Sequence, residues 1–495
     1  MQQKYKYLYY ILASSLLFLI LNKYFSHQFK MGSFFNSDSL TVPDLVRDIF
    51  KNPINFFDWN FSRAPSFQDA FFYGLIHLFF NSTNSIAIFI SVQFILTAVI
   101  MFKIYSIKYD IKFTILLSSI SLLFLTYILL EQIYPYFILL KIAHHYSEFL
   151  AWLVSSVLLI KFLLSPNRKD MIIIMIISLV LCLNDRLFYL HFIIPSLIFT
   201  MIRFTIFKYK KHEKCLIAIY IIGIITVSVI GYIVAEYIAG IYNIAPINSI
   251  TTISIQQDLF GLYKLILKIN RKSLLILLIN TIFYIFCLMS ILKKQTTKDW
   301  VYFFLLSLLI TLIIIITVPS SKIIGRYLLP YLYVPVLFLG MILPKSIVTK
   351  SKFILLSIIA LFIINLMYSV KINQWSFDFY PEDVACIDNE LSKRKIQYLI
   401  GGFWESRYYT FMSKKEIKVL PFHSSFKENH TVINKKRFVE YYSAVIIKIK
   451  SKKGLDEELV KSHFGTPKEE ITCTPVKLLL YNHNSLKPLD RVINQ

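Results

Sequence analysis

Residues 84–130 decide the fold: NSIAIFISVQFILTAVIMFKI, then YSIKYDI, then KFTILLSSISLLFLTYILL. Two apolar runs, 84–104 and 112–130, are joined by a short corner that carries Lys108. A helix of about 20 residues rises about 30 Å, the thickness of a bilayer's hydrocarbon core. Each run is therefore long enough to cross a membrane, and the corner brings the chain straight back.

The same reading extends in both directions. Runs of comparable length lie at 7–24, 146–165, 187–207, 215–238, 272–293, 299–318, 327–344 and 351–370, and a shorter one at 170–184 meets its successor at the tight corner Asn184-Asp185-Arg186. The chain is 56% hydrophobic and 16% aromatic, too apolar for a soluble protein that has to cover its surface with polar groups. With only 12 glycines and 16 prolines among runs of Ile, Leu and Phe, the spans are expected to be helices that close their own backbone hydrogen bonds. The short alternating segments of a transmembrane barrel are absent from the sequence. The expected fold is a polytopic α-helical membrane protein of about eleven transmembrane helices, with residues 1–370 as the membrane domain and 371–495 as a small C-terminal α/β extramembrane domain.

The formal charge of +24 does not point to nucleic acid, because the basic residues sit in short clusters between apolar runs. They read as topology signals. With Lys4 and Lys6 in the cytoplasm, the connections 105–111, 166–169, 208–214, 294–298 and 345–350 are all short, basic and cytoplasmic, as the positive-inside rule requires. The loops 25–83, 131–145, 239–271 and 319–326 then face outward, and an odd number of spans leaves 371–495 outside as well. A bacterial inner membrane is the expected location. The first apolar run lacks a small-residue cleavage site and is read as a span.

In the C-terminal region, helix-like stretches (381–395, 405–413, 454–464) alternate with β-type runs (397–400, 417–420, 444–449, 470–480). Cys386 and Cys473 are its only cysteines. On an oxidising face they can be joined, fastening a helix to a strand, or they are two independently buried thiols. No Cys or His spacing marks a metal site.

The first outer loop, 25–83, far exceeds a normal connection and is expected to carry function. It holds Phe34-Phe35-Asn36-Ser37-Asp38-Ser39-Leu40, then Pro43-Asp44-Leu45-Val46-Arg47-Asp48, then Asp58-Trp59 and an amphipathic segment from Phe67 to Phe80. Interleaved aromatic rings and carboxylates are the mixture a sugar site needs. Asp44 and Asp48, spaced i, i+4 around Arg47, also fit the exposed face of a short surface helix. Trp404-Glu405-Ser406-Arg407-Tyr408-Tyr409 reads either as one wall of an acceptor groove or as a helix packed on a small sheet.

An N-terminal span, an acidic first outer loop, about a dozen spans, the segment Gly325-Arg326-Tyr327-Leu328-Leu329-Pro330 at the start of a late span and an outer C-terminal domain together resemble the GT-C superfamily of integral membrane glycosyltransferases, in its protein-mannosyltransferase-like branch. The resemblance covers most of residues 1–370 in architecture and two stretches in motif, around Asp38 and around Arg326. It implies transfer of a sugar from a polyprenyl-phosphate-linked donor to a glycan, lipid or protein acceptor at the outer face. Asp38 would then be the catalytic carboxylate, taking the acceptor's hydroxyl proton in an inverting reaction, against a reading as a turn or helix-cap residue. Arg326, with Lys322, would hold the donor phosphate, against ordinary snorkelling of a basic side chain at a helix end. Many relatives carry a second acid directly after the first, whereas here Ser39 follows Asp38. Asp44, Asp48 or Asp58 can substitute in space. Asp44, Asp58, Trp59, His144, His145 and Glu148 are the further candidates for substrate contact. The His pair with Glu148 can ligate a divalent cation or hydrogen-bond a neighbouring helix. No soluble cofactor is expected. The competing readings are a polysaccharide polymerase or ligase, and a lipid or glycan transporter.

Overall fold

The apolar runs become helices because nothing in lipid can satisfy the backbone except the helix itself. The computed structural model describes residues 2–29, 34–61, 66–133, 136–142, 145–241, 274–292, 298–317, 328–342, 375–377, 379–449 and 455–488. After α1 (Gln2–Phe25), the first loop forms α2 (Thr41–Lys51) and α3 (Phe67–His77). The bundle continues with α4 (Ser82–Lys108), α5 (Ile111–Leu130), α6 (Tyr146–Leu164), α7 (Arg168–Asn184), α8 (Ile194–Ile206), α9 (Lys211–Ile241), α10 (Leu274–Leu292), α11 (Lys298–Thr317) and α12 (Leu329–Ile342). Among the described residues, six helical segments are long and apolar enough to cross a membrane, and three more in α10, α11 and α12 are apolar but shorter. The protein is a helical membrane protein. The span expected at 351–370 and most of the loop at 239–271 lie outside the described residues.

Polar caps set the corners between helices. Asp110 accepts the N–H groups of Lys112 and Phe113 at 3.0 and 3.2 Å to start α5, and Asn167 accepts that of Asp170 at 2.9 Å to start α7. Buried hydroxyls inside the helices turn back on their own carbonyls, as Thr97 does to Gln93 (2.7 Å) and Thr126 to Leu122 (2.8 Å). The basic corner residues fasten neighbouring helix ends: Lys108 donates to the Met341 carbonyl at 2.5 Å, and Arg203 of α8 pairs with Asp299 of α11 at 2.5 Å.

The chain re-enters the described structure beside the far end of α1. Ser376 donates its N–H to the Phe25 carbonyl (3.0 Å), Trp375 stacks on Phe25 with ring centroids 5.3 Å apart, and its indole N–H reaches Asn22 (2.9 Å). The C-terminal domain therefore meets the bundle at the end where α1 finishes and the first loop begins. It contains α13 (Glu382–Lys393), β1 (Tyr398–Gly402), α14 (Phe403–Met412), β2 (Lys418–Phe422), β3 (Ala444–Lys448), α15 (Glu457–Phe464), β4 (Glu469–Cys473) and β5 (Val476–Leu480).

The sheet order is β2-β1-β3-β5-β4; β2, β1 and β3 are parallel, and β5 runs antiparallel to both β3 and β4. Alternation along β3 sends Ala444 and Ile446 to the core shared with the helices, and Val445 and Ile447 to a second cluster with Ile400, Leu420 and Leu479. The run 470–480, read from sequence as one strand, is two. Thr474-Pro475 interrupts it, since proline has no N–H to give the ladder. Cys386 and Cys473 form a disulfide that ties α13 to the end of β4.

Candidate functional site

The first loop, 25–83, is held against the C-terminal domain by charge. The i, i+4 face of α2 that the sequence suggested was exposed is buried: Asp44 is 0% and Asp48 7% accessible. The face that carries these carboxylates meets three guanidinium groups instead of water. Arg437 grips Asp44 with both terminal nitrogens (2.7 and 3.0 Å) and reaches Asp48 at 2.6 Å, while Arg47 bonds Asp44 at 2.8 Å. Arg407, on α14, lies 3.5 Å from Asp44, donates to Thr41 Oγ1 at 2.6 Å and to the carbonyls of Ser37 and Val432. Trp59, 1% accessible, lies under the guanidinium groups of Arg407 and Arg437 at 5.9 and 5.5 Å and donates its indole N–H to Asp48 at 3.0 Å. Asp58 pairs with Lys436 at 3.0 Å.

These partners shape the protonation states. Burial raises the Asp44 carboxyl, but Arg437, Arg47 and Arg407 outweigh it and hold it well below the usual carboxylate range. Burial also pulls Arg407 down, to about 10, against the opposing charge of Asp44, so it remains a cation at neutral pH. Arg437 is raised, because Asp44 and Asp48 overcome its burial.

Asp38 sits just before α2 in a turn, half-buried, where its carbonyl accepts from Thr41 (3.3 Å). Its carboxylate acts electrostatically on two buried cations, Arg407 and Lys141. Lys141, from the loop 131–145, is 5% accessible with its ammonium 4.6 Å from the Phe137 ring centre. Burial lowers it to about 8, and Asp38 limits the drop. Sequence reading passed over Lys141, because one lysine in an apolar loop carries no pattern.

A second polar group lies where α6 starts and α7 ends. His145, which takes a left-handed backbone (φ 64°) before α6, pairs with Asp185. Glu148, in the first turn of α6, bonds His191 at 3.0 Å; both are wholly buried, and His191 sits in the π-helical turn Tyr189–Ile193 that precedes α8. The loop helix α3 reaches this group, with Gln68 donating to Ser147 (3.2 Å) and the Phe67 N–H to Asn184 (3.2 Å). Arg186 pairs with Glu236 of α9.

Asp38, Asp44, Asp58, Trp59, His145 and Glu148 thus gather at one end of the bundle, the end that carries the C-terminal domain. Asp44 and Trp59 are spent on the seam between loop and domain. Lys322, Arg326 and His144 lie outside the described residues. Among the described residues, no three His, Cys, Asp or Glu side chains are grouped to hold a metal ion.

Beside the seam, a cavity of about 630 Å³ opens between the first loop and the domain. Phe35 and Asn36 line it from the loop, Asp383 from α13, and Trp404, Glu405 and Tyr408 from α14. No family model matches this chain, and no curated protein matches it.

Proposed function

We propose that this chain is a GT-C-like integral membrane glycosyltransferase that moves a sugar from a polyprenyl-phosphate carrier to a glycan, lipid or protein acceptor on the outer face of a bacterial inner membrane. The reading takes eleven spans, a cytoplasmic N-terminus and an outer C-terminal domain. The return of Trp375 and Ser376 to the end of α1 supports the parity of that count, because an even number of crossings has to separate residues 25 and 375. The disulfide between Cys386 and Cys473 supports an oxidising compartment for the domain.

The observation that carries the reading is the half-buried Asp38, electrostatically coupled to two buried cations at the membrane end where loop and domain converge. The carboxylate takes the proton of an acceptor hydroxyl as that oxygen attacks the sugar's anomeric carbon. The bond from that carbon to the carrier phosphate breaks on the opposite face, its electron pair leaves with the phosphate, and the configuration inverts. Lys141, with Arg326 and Lys322, holds the phosphate as it gains charge.

The test is reconstitution of the purified chain in liposomes with radiolabelled polyprenyl-phosphate mannose or glucose and a mixed glycan and glycolipid acceptor pool. Label should leave the carrier and appear on an acceptor in inverted configuration. If neither donor is consumed, the transferase reading falls. Glu148 and His191 favour a second reading, a transporter, because a fully buried acid with an unpartnered Oε2 beside an imidazole can pass protons. Movement of unchanged lipid-linked sugar between leaflets, without transfer, would select it.

Lys141 gives a pH signature. It is a cation below about 8 and neutral above, so the KM for donor should stay flat to pH 8 and rise beyond it. Lys141→Arg, which keeps its charge, should flatten the rise. A donor KM that climbs identically in both proteins takes Lys141 out of the phosphate site.

A further inference from the structure

The cavity between the first loop and the C-terminal domain is built unlike the seam beside it. Its walls carry Glu382, Asp383 and Glu405 with Lys448 as counter-charge, so the charge balance is acidic and repels a phosphate. Aromatic side chains line it beside these groups: Trp404, 42% accessible, with Tyr408, Tyr409 and Phe379. Among the described residues, two polar atoms in the walls are buried and without a hydrogen-bond partner, Oε2 of Glu405 and Nε2 of His27. Glu405 as a whole is only 9% accessible, so its free oxygen is not solvated from elsewhere. A buried acceptor without a donor is destabilising, and a ligand hydroxyl in the cavity would remove that cost.

From this arrangement we infer that the cavity is a binding subsite for a neutral glycan, the acceptor of the transfer reaction rather than its phosphate-bearing donor. The inference rests on the transferase reading for the ligand's role, but not for its chemistry. Sugar rings stack on Trp404 and the tyrosines. Hydroxyl groups donate to Glu405 and Asp383 and accept from Lys448. The tyrosines are already aimed, since the Tyr409 hydroxyl donates to Asp383 at 2.9 Å. Burial raises both the Asp383 and the Glu405 carboxyls, which suits them to neutral hydroxyl partners better than to cations. The volume falls within the range of about 300–1,000 Å³ typical of small-molecule sites.

The disulfide has a specific place in this site. Asp383 stands one turn before Cys386 on α13, and Thr474 and Pro475, which also line the cavity, directly follow Cys473. The Cα atoms of the two cysteines are 5.7 Å apart, so the bridge fixes the distance between the two walls.

The experiment uses the full chain in lipid nanodiscs and fluorescently labelled tri- and tetrasaccharides: neutral hexoses, N-acetylhexosamines, and the same chains bearing phosphate or uronate. Neutral chains should bind saturably and the acidic chains at least tenfold more weakly. Trp404→Ala and the isosteric Glu405→Gln should each weaken binding tenfold or more, with the melting temperature and the disulfide unchanged. Absence of neutral glycan binding, or binding indifferent to both substitutions, overturns the subsite. The two readings separate cleanly. Binding that requires Glu405 in a chain that transfers no sugar leaves the subsite and removes the transferase; transfer whose acceptor KM ignores both substitutions does the reverse.

Discussion

Asp38→Asn is expected to insert, fold and dock its C-terminal domain normally, yet to transfer sugar about 10²–10⁴ times more slowly than the parent, the usual contribution of a positioned general base. Asn keeps the size of the side chain and one acceptor oxygen but cannot take a proton. The structure adds a second readout that a merely structural residue would not move. Asp38 is the anion that opposes the burial of Lys141, so its removal should shift the rise in donor KM from about pH 8 to lower pH. Asp38→Glu, which restores charge and basicity at slightly different reach, should recover part of the rate and return the pH break toward its original position. Transfer by Asp38→Asn close to the parent rate would strip Asp38 of its role, whatever happened to the pH profile.

The helices of the bundle were legible because bilayer thickness is a length and a helix converts length into residue number, and six of the expected spans are long and apolar enough to cross among the described residues. The run at 170–184 shows how far this goes: with a basic, Asn-capped start and a polar corner at its end, it becomes α7, Arg168–Asn184, as the pattern suggested. The C-terminal strands were legible within a residue or two, except where Thr474-Pro475 splits the last one. The cysteine pairing was open in the sequence, since nothing there brings residue 386 near 473. The α13–β4 packing does.

The candidate site was less legible, for a physical reason. Loop residues Asp44 and Asp48 have the spacing of a solvated helix face, and their fate depends on Arg407 and Arg437, more than 350 positions away. Local pattern carries no record of so distant a partner. The segment from Trp404 to Tyr409 presented the opposite case. Its reading as a helix on a sheet holds, and the same helix lines a cavity, because α14 buries Arg407 and also carries Trp404 into the cavity lining.

Asp44→Asn should undock the C-terminal domain, and it is the largest structural effect expected of any single change here. Three guanidinium groups converge on Asp44. With the charge removed, Asp48 still pairs with Arg437 while Arg47 and Arg407 lose their carboxylate partner, and a buried ion pair broken on one side typically costs about 3–5 kcal/mol. That corresponds to an undocked fraction raised roughly 10²–10⁴-fold, read as faster proteolysis of the domain and a lower melting temperature. The sign of the pH dependence follows from the depressed carboxyl: in the parent, its stabilisation is complete above the ordinary carboxylate pKa near 4 and fades only as pH falls toward the much lower folded value. Docking of the parent should therefore survive at pH 5, while Asp44→Asn behaves at pH 7 as the parent does only in strong acid. Asp44→Asn combined with Arg437→Gln should cost less than the two single losses added together, by at least about 0.5 kcal/mol, since the second change removes one of the cations that Asp44 pairs with. Proteolysis of Asp44→Asn at the parental rate, with strictly additive losses in the double variant, would mean that packing around Trp59 and Phe61 holds the loop to the domain and that the ions merely accompany it.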